Sequence, residues 1–341
     1  MSRIQGEQVK AIIPVAGVGE RLKPFTLTTP KCLLPVAGKP ILAHILDGLI
    51  QVGISDFVFI IGYMGEKIRS YVNSHYPKTS EFVEQKQLLG LGYAVKLGLE
   101  ITEDSPVLIV LGDTIVEMPD RRIIEAEANQ VGLVQLEDPR RFGVAILDGA
   151  TVVSVEEKPL SPRSNYVLAG IYVFPNPRPL RLALSELIEK NIKTRGEFQL
   201  TDALALMISR GEKLYWFSVG KWYDCGTPES LIETNRQLLE NSAKVEAETK
   251  NSIVLQPSWI AKSAKISNSI IGPYVSIGGD AIVEESIISN SIVGSSSHLK
   301  RCLLESSIIG NEVTFVGRRY RLNIGDCSQV FLQWEREKER E

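Results

Sequence analysis

The chain has 341 residues, of which 44% are hydrophobic and 23% are charged, and its formal net charge is −3. This length suits two domains better than one, and the apolar content is sufficient for a sizeable core. A net charge this close to zero argues against general affinity for nucleic acid or anionic membranes, so polyanionic substrates would have to be held by locally placed cations.

The sequence gives no sign of secretion or of a membrane span. Its first ten residues, MSRIQGEQVK, lack the apolar core of a secretory signal, and no apolar run approaches the roughly 18 residues of a membrane helix. The four cysteines are far apart and form no Cys-x-x-Cys pair; they are Cys32, Cys225, Cys302 and Cys327. We therefore expect a cytoplasmic protein with reduced thiols, and neither a disulfide nor a zinc site.

Over the first two-thirds of the chain, short apolar runs alternate with segments of helical periodicity. The patterns predict strands at 9–16, 56–61, 81–84 and 107–111, and helices at 41–50, 64–75, 90–100 and 229–240. The last of these strands is wholly apolar, as a central parallel strand would be. The alternation predicts an α/β fold in which helices cover both faces of a sheet.

From about Asn251 the pattern changes to an internal repeat. Apolar residues recur every five or six positions from Ile260 to Phe315, and the motif Ser-Ile-(Ile/Val)-Gly occurs three times in this region. This period predicts a β-helix of hexapeptide repeats, in which one apolar residue per short strand points inward. The number of coils stays open, because the five-residue steps imply irregular turns.

Composition also suggests where the chain divides. The polar stretch NSAKVEAETKN follows the predicted helix at 229–240, and the last eight residues are almost all charged. We predict a first domain at 1–240, a linker at 241–252, a β-helix at 253–333 and a charged tail at 334–341.

The clearest functional signal is a glycine-containing loop after the first predicted strand. Its sequence is Ala16-Gly17-Val18-Gly19-Glu20-Arg21-Leu22, and Lys31 follows nine residues later. Glycines in such a place let the backbone approach phosphates closely, and Arg21 and Lys31 add positive charge. Taken alone, the glycines are explained equally well by an ordinary connection, because the third Rossmann glycine and the Walker A lysine are missing.

Further segments extend this signal along the chain. They lie at 111–113, 138–144, 155–159, 169–172, 196–202 and 222–227. Together with the loop, they make the chain resemble the sugar-1-phosphate nucleotidyltransferases over nearly its full length. The resemblance is closest to long-form glucose-1-phosphate thymidylyltransferases, which carry a C-terminal left-handed β-helix. The single-glycine form of the loop is more similar to bacterial UTP–glucose-1-phosphate uridylyltransferases.

This resemblance implies both a fold and a reaction. The implied fold is a Rossmann-like, doubly wound mixed sheet of the nucleotide-diphospho-sugar transferase type, followed by a left-handed parallel β-helix. The implied reaction joins a nucleoside triphosphate to a sugar 1-phosphate, with Mg²⁺, and releases pyrophosphate. Glucose 1-phosphate with dTTP is the first expectation, and UTP is the alternative. We also expect a homo-oligomer, because stacked coils leave flat faces suited to self-association.

Two aspartates are the expected metal ligands and belong to the expected catalytic set. Asp113 closes an apolar strand, where open α/β sheets bind ligands, although a helix cap or turn would explain a lone aspartate equally well. The resemblance favours Mg²⁺ binding and supplies Asp224 as the second ligand, in keeping with the preference of Mg²⁺ for carboxylates and phosphate oxygens.

Three cations complete the expected catalytic set. By resemblance, Arg21 holds the triphosphate and steadies the transition state, Lys31 contacts the α-phosphate, and Lys158 grips the sugar phosphate. Two mutually repelling phosphates must meet, so positioning and charge neutralisation are expected to carry catalysis. A general base is not needed, because a phosphate monoester is already ionised near neutral pH.

The remaining expected contacts are to the base and the sugar. The expected nucleotide-binding residues are Ala16, Gly17, Gly19, Gln85, Gly90 and Asp113. An amide such as that of Gln85 both donates and accepts, so it matches the edge of uracil or thymine. The residues expected to bind the sugar phosphate are Gly143, Glu157, Lys158 and Gly170.

Two functions of other classes compete with this interpretation. A non-catalytic subunit that binds nucleotide sugars and regulates a sister enzyme would be expected to have lost the charged residues, yet all five are present. An acyltransferase would use a histidine of the β-helix, but His298 beside a serine-rich stretch is a weak signal.

Overall fold

The computed structural model describes residues 9–76, 79–118 and 121–318. Strands of its first unit are β1 (Lys10–Pro14), β2 (Pro35–Val36), β3 (Lys39–Pro40), β4 (Asp56–Ile61), β5 (Thr79–Glu84), β6 (Val107–Val110), β7 (Thr114–Val116), β8 (Gln130–Gln135), β9 (Gly143–Asp148), β10 (Thr151–Glu157), β11 (Tyr166–Phe174), β12 (Tyr215–Ser218) and β13 (Trp222–Asp224). Its α-helices are α1 (Ile41–Gln51), α2 (Gly65–His75), α3 (Leu91–Ile101), α4 (Arg178–Glu189), α5 (Leu200–Ser209) and α6 (Pro228–Ser242).

Nine of these strands form one mixed sheet, in the order β5-β4-β1-β6-β11-β8-β12-β10-β9. The first four run parallel to one another, and β11 then pairs antiparallel with both β6 and β8. Alternate residues of β1 point to opposite faces: Ala11 and Ile13 pack with α1 and α2, whereas Ile12 packs with α3, α4 and α5. The predicted Rossmann-like mixed sheet with helices on both faces is therefore confirmed.

The second unit is built from short parallel strands. They are β14 (Lys244–Val245), β15 (Thr249–Lys250), β16 (Ile253–Val254), β17 (Ser258–Ile260), β18 (Lys265–Ser267), β19 (Ile270–Ile271), β20 (Val275–Ile277), β21 (Ile282–Glu284), β22 (Ile287–Ser289), β23 (Ile292–Val293), β24 (His298–Lys300), β25 (Leu303–Glu305), β26 (Ile308–Ile309) and β27 (Thr314–Val316). Every third strand belongs to the same sheet, so the chain winds around three sheets as a parallel β-helix, consistent with the left-handed form.

The register explains the five-residue steps. Ile260 lies beside Ile277, and Ile277 lies beside Val293, so successive coils advance by 17 and then 16 residues. Each coil has three strands, and both numbers are smaller than three steps of six. Some steps between strands must therefore be five residues long. The inward column is buried from Ile260 to Leu299, whereas Phe315 in the last described strand is half-exposed.

The segment 241–252, predicted as a linker, contains β14 and β15. These strands pair with β17 and β18, so they form part of the first coil of the β-helix. Its polar composition fits the end of a solenoid, because a terminal coil has solvent on one side. The tail predicted at 334–341, the end of the predicted β-helix beyond residue 318, and Cys327 lie outside the described residues.

Among the residues that the structure describes, none of the helices combines the length and apolarity needed to cross a membrane.

Candidate active site

A cleft of about 490 Å³ opens at the carboxyl ends of β1 and β6. Its lining includes the loop that follows β1, with Arg21 and Lys31, and the aspartate that follows β6. Eight predicted site residues line it: Ala16, Gly17, Gly19, Arg21, Lys31, Gln85, Gly90 and Asp113. Ligands of open α/β sheets bind at this end of the strands, so the sheet gathers the predicted nucleotide-binding residues where a ligand is expected.

The two loop glycines differ in what requires them. Gly19 has a φ of 74°, and a Cβ there would lie 3.0 Å from side-chain carbons of both Lys31 and Thr26. A Cβ on Gly17 would meet nothing within 4 Å. Local structure therefore demands glycine at position 19, whereas at position 17 the glycine keeps the cleft open for a ligand.

Asp113 carries a direct ion pair. The Lys31 ammonium donates to its carboxylate at 2.6 Å, and the Thr114 hydroxyl donates to its other oxygen at 3.2 Å. Burial by itself would raise the pKa of Asp113, but Lys31, Thr114 and the charge of Arg21 outweigh it and lower that pKa. The carboxylate is therefore charged at neutral pH and faces two cations.

Strand pairing brings the second aspartate to the first. β13 pairs antiparallel with β7, which sets Asp224 beside Thr114, and the Cys225 N–H donates to the Asp113 carbonyl at 3.2 Å. Burial and the negative charge of Asp113 both raise the pKa of Asp224, against the opposing pull of Lys31 and other cations. Two carboxylates 111 positions apart in sequence thus share one electrostatic environment.

Arg21 also lies close to the Asp224 carboxylate. A Cβ built on Gly226 would lie 2.8 Å from an Asp224 carboxylate oxygen and 3.3 Å from the Arg21 guanidinium. The guanidinium and the carboxylate therefore approach each other over a residue that has no side chain. Asp113 lines the cleft, and the Asp224 carboxylate lies beside Gly226 of the same lining. Two such carboxylates are oxygen ligands of the kind that Mg²⁺ takes from proteins, and its other positions would be left to phosphate oxygens and water.

The predicted sugar residues form a second cluster. The Thr201 hydroxyl donates to one Glu157 oxygen at 2.7 Å, and the Lys158 ammonium lies 2.9 Å from the other. A Cβ on Gly143 would lie 3.4 Å from the Glu157 carboxylate and 3.1 Å from the Thr201 hydroxyl. The Glu157 side chain is buried to about nine-tenths, so its oxygens are held by neighbouring groups before any substrate arrives.

Lys158 and Gly170 both occupy left-handed backbone conformations. Lys158 has a φ of 45°, its N–H donates to the Phe142 carbonyl, and its own carbonyl accepts from Arg195 at 2.8 Å. Gly170 has a φ of 82°, lies in a bulge of β11, and accepts through its carbonyl from the Leu111 N–H. The bulge joins the sugar cluster to the strand end that carries Asp113.

The residues predicted to read the base, Gln85 and Gly90, also line the cleft. Gln85 is 5% exposed, and its amide donates to the Gly90 carbonyl at 3.3 Å. Gly90 has a φ of 106°, and a Cβ there would lie 2.7 Å from Glu197 and from the Phe198 carbonyl. The amide is therefore fixed by a backbone group whose own position requires glycine.

The cluster around Glu157 lies near the cluster around Asp113 and Asp224. The buried Tyr172 hydroxyl has a raised pKa because of burial and, after that, because of the charges of both Glu157 and Asp113. Phe142 packs edge-on against Trp222, with ring centroids 5.2 Å apart, and Arg141 lies 3.7 Å from the Asp224 carboxylate. The predicted metal ligands and the predicted sugar-binding residues therefore lie near each other, although of these residues only Asp113 lines the cleft itself.

The sequence analysis assigned no roles to Arg141, Arg195 or Thr201, each of which contacts a predicted site residue. Arg141 and Thr201 lie in the family-like segments 138–144 and 196–202, and Arg195 directly precedes the second of these. Their position in or next to these segments was the sequence signal that could have identified them. The contacts themselves are made with residues 37 to 83 positions away.

His298, the candidate for acyl transfer, lies on an outward surface of the β-helix. Its Nε2 is 3.2 Å from Glu284, which also pairs with Lys300. These contacts describe a solvated charge network on a strand surface.

Comparison with known proteins agrees with this geometry. The family described as Nucleotidyl transferase matches residues 10–241, and the GlmU-like C-terminal hexapeptide family matches residues 235–323. The chain is 30% identical to the glucose-1-phosphate thymidylyltransferase of Streptomyces griseus, over 94% of this chain and 99% of that protein. It is 32% identical to the bifunctional protein GlmU of Methanocaldococcus jannaschii, over 90% of this chain and 76% of that protein.

A solved structure supports the same relationship. UDP-glucose pyrophosphorylase complexed with UDP-glucose superposes with a TM-score of 0.60 at 25% identity, over 68% of this chain and 99% of that one. Site geometry, family match and relatives agree, and the chain therefore belongs to the nucleotidyl transferase family, as a sugar-1-phosphate nucleotidyltransferase with a C-terminal hexapeptide-repeat domain.

Proposed function

We propose that this enzyme makes dTDP-glucose from dTTP and glucose 1-phosphate. The observation that carries the proposal is the approach of Arg21, Lys31, Asp113 and Asp224 to one another at the cleft, beside the Glu157–Lys158 cluster. Relatives named glucose-1-phosphate thymidylyltransferase, at 29–30% identity over nearly the whole chain, support the choice of substrates.

The reaction is an in-line displacement. An oxygen of the sugar phosphate attacks the α-phosphorus, the bond from that phosphorus to the bridging oxygen of the β-phosphate breaks, and pyrophosphate leaves with the electron pair. Arg21 holds the triphosphate and the departing pyrophosphate, Lys31 contacts the α-phosphate, and Lys158 holds the sugar phosphate. These cations offset repulsion between two anions, and the barrier falls because they are already in place.

Lys31 has to change partner in this scheme. In the structure it lies 2.6 Å from Asp113, so binding of a triphosphate would draw its ammonium from a carboxylate to a phosphate oxygen. Asp113 and Asp224 would hold Mg²⁺, which when bound supplies further charge neutralisation on the phosphates. The proximity of the two aspartates supports this assignment: burial and, after it, the charge of Asp113 raise the pKa of Asp224, and a bound cation would offset that repulsion.

The base is read by an amide, and the sugar hydroxyls are bound by a carboxylate. The Gln85 amide, oriented by the Gly90 carbonyl, would pair with the edge of thymine or uracil. Glu157, oriented by Thr201, would accept hydrogen bonds from sugar hydroxyls. Gly170, which has a left-handed backbone conformation and no side chain, would let the backbone approach the sugar.

UTP is the second candidate, because solved UDP-glucose pyrophosphorylases share the fold and the loop has the single-glycine form. A coupled assay of pyrophosphate release, run with each common nucleoside triphosphate against a set of sugar 1-phosphates, separates the candidates. We expect the highest kcat/KM for dTTP with glucose 1-phosphate. A higher value for UTP would reverse the choice, and a lack of turnover with every pair would favour the regulatory subunit.

The proposal extends to assembly and location. One column of outward residues on the β-helix is aliphatic and exposed: Ile253, Ile270, Ile287 and Leu303. We name this column the apolar face. It bears no charge and repeats one shape at each coil, so a second copy of the chain is the partner that it fits. A reducing location such as the cytoplasm fits the buried free thiols Cys32, Cys225 and Cys302.

A further inference from the structure

The β-helix presents a second outward column, which lies against the catalytic unit. Its members lie side by side in register, from Trp259 through Ser276 and Ile292 to Ile308. We name this column the docking face. Ile292 is 2% exposed and belongs to the same hydrophobic core as Leu231 of α6, so the two units share a continuous apolar interior.

Trp259 covers the β2–β3 hairpin of the catalytic unit. Gly38 at the tip of that hairpin has a φ of 90°, and a Cβ there would lie 2.2–2.6 Å from three atoms of the Trp259 indole. The ring therefore packs directly on the hairpin backbone, and any side chain at position 38 would displace it.

Asn235 of α6 links the same hairpin to the β-helix. It is fully buried, and its amide oxygen accepts from the Ala37 N–H at 2.9 Å and from the Ser276 hydroxyl at 2.6 Å. Its amide nitrogen donates to the Tyr274 carbonyl at 3.3 Å. One side chain thus connects the hairpin tip to two residues of the repeat domain.

The hairpin is part of the segment that joins β1 to α1, residues 15–40, which we name the catalytic loop. The Leu34 N–H donates to the carbonyl of Lys31, and the Ile41 N–H donates to the carbonyl of Leu34. Further up the same loop, Phe25 lines a small cavity together with Ile308 at the other end of the docking face, and its ring lies 3.9 Å from a Cβ built on Gly310 of the β-helix. Contacts to the β-helix therefore flank Lys31 on both sides, and Phe25 follows Arg21 by four residues.

The loop has little regular structure of its own. Between β1 and α1 it consists of three short 3₁₀ turns and one two-residue hairpin, so its shape depends on what packs against it. A displacement of about 1 Å in a group that positions substrate can cost roughly 100-fold in rate.

We propose that Trp259 and Asn235 are positioning residues for the nucleotide: they hold the hairpin and, through it, Lys31 where the triphosphate binds. The inference rests on the proposed function for its kinetic consequence only. It gives the β-helix a role in catalysis in addition to any role in assembly.

The test compares full-length variants at two outward positions of the β-helix, Trp259 and Leu303. Trp259→Ala removes the ring from the hairpin, Trp259→Phe keeps an aromatic ring there, and Leu303→Ala truncates an outward residue that is 80% exposed on the apolar face. We expect Trp259→Ala to raise KM for the nucleoside triphosphate about tenfold and to leave KM for the sugar phosphate within twofold. Trp259→Phe should recover most of the loss, and Leu303→Ala should match the wild type.

A second readout does not depend on turnover. Amide hydrogen exchange over residues 20–40, without substrates, should accelerate at least tenfold in Trp259→Ala and in Asn235→Ala, and should be unchanged in Leu303→Ala. Unchanged exchange in the first two variants, or an equal rise in both KM values, would overturn the proposal. If the wild type turned over no substrate pair, the proposed function would fail while the exchange comparison still decided the positioning role.

Discussion

At the scale of single residues, Glu157 and Asp224 have different neighbours, and the proposed function gives them different roles. Glu157 is held by a hydroxyl and an ammonium, which leaves it oriented toward polar, uncharged ligand groups. Burial and, after it, the negative charge of Asp113 raise the pKa of Asp224, so a cation bound between the two carboxylates would be favourable. In the proposed function, the residues next to each acid, rather than the acid itself, therefore separate sugar recognition from metal binding.

Replacing Glu157 should affect the sugar selectively. Glu157→Gln removes the charge that pairs with Lys158 and an acceptor oriented by Thr201, so we expect KM for the sugar 1-phosphate to rise about tenfold, equivalent to about 1.4 kcal/mol of binding. KM for the nucleotide should stay within twofold. The neighbouring Glu156→Gln is the matched control, because Glu156 makes an exposed pair with Arg163. Equal effects of the two variants would contradict the assignment.

Replacing Asp224 should affect turnover. Asp224→Asn keeps the shape of the side chain and removes one anionic metal ligand, so kcat should fall by at least about 100-fold, or about 2.7 kcal/mol in activation free energy. The apparent Mg²⁺ requirement in the pyrophosphate assay should shift to higher concentration. Asp138→Asn, which loses only an exposed pair with Arg140, should stay within twofold. A normal Mg²⁺ dependence in Asp224→Asn would exclude Asp224 as a ligand.

At the scale of elements, helices α1 and α6 fix the position of the catalytic loop and of β13. Helix α1 begins directly after the β2–β3 hairpin, and three residues separate the end of β13 at Asp224 from the start of α6 at Pro228. The stability of each helix end is therefore part of the geometry of the site.

The start of α6 depends on a capping box. The Thr227 side chain accepts from the Ser230 N–H at 3.2 Å, and the Ser230 hydroxyl accepts from the Thr227 N–H at 2.9 Å. Thr227→Ala should lower the free energy of unfolding by about 1 kcal/mol, measured by denaturant titration. Thr227→Ser keeps the acceptor and is the control. A loss as large in Thr227→Ser would show that the hydroxyl oxygen is not what stabilises the helix start.

Partly buried His44 should make α1 sensitive to acid. Burial is the main cause that lowers the pKa of His44 to about 4, although its ring donates to the Val36 carbonyl at 3.0 Å. The unfolded chain binds this proton near pH 6.5, so stability is complete above that pH and declines as the pH falls toward 4, by at most about 3 kcal/mol. His44→Gln should flatten stability between pH 6.5 and 4, whereas the exposed His75→Gln should retain the wild-type slope.

At the scale of the whole molecule, the three outward surfaces of the β-helix differ. The docking face is buried against α6 and the catalytic loop, and a second surface carries the Glu284 network with His298 and Lys300. The apolar face remains exposed in a single chain. One surface thus serves attachment, one faces water, and one is available for self-association.

Charging the apolar face should weaken assembly. Ile270→Lys combined with Ile287→Lys places a column of like charges where two copies would meet, so the mass from light scattering should fall toward that of a monomer. The outward Glu284→Lys change on the charged surface is the control and should leave the mass unchanged. The same mass for all three proteins would remove the apolar face from the interface.

The sequence by itself determined the strand and helix periodicities, the inward column of the β-helix and the residues with the required charges. The structure places predicted helix 64–75 at α2 and predicted strand 56–61 at β4, because amphipathic spacing is a local property. Several site residues were named only through family resemblance, since Asp224 or Lys158 in isolation looks like any surface charge.

Only the tertiary structure decided which of these residues meet. The pairing of β7 with β13 sets Asp224 beside Asp113, and the fold alone brings Thr201 to Glu157 and Trp259 to Gly38. It also decided that 244–250 begins the β-helix, because strand pairing there is made with residues 15 to 17 positions away. Periodicity reports the side on which a residue is buried, whereas contacts between distant segments depend on how the layers pack, which no local pattern encodes.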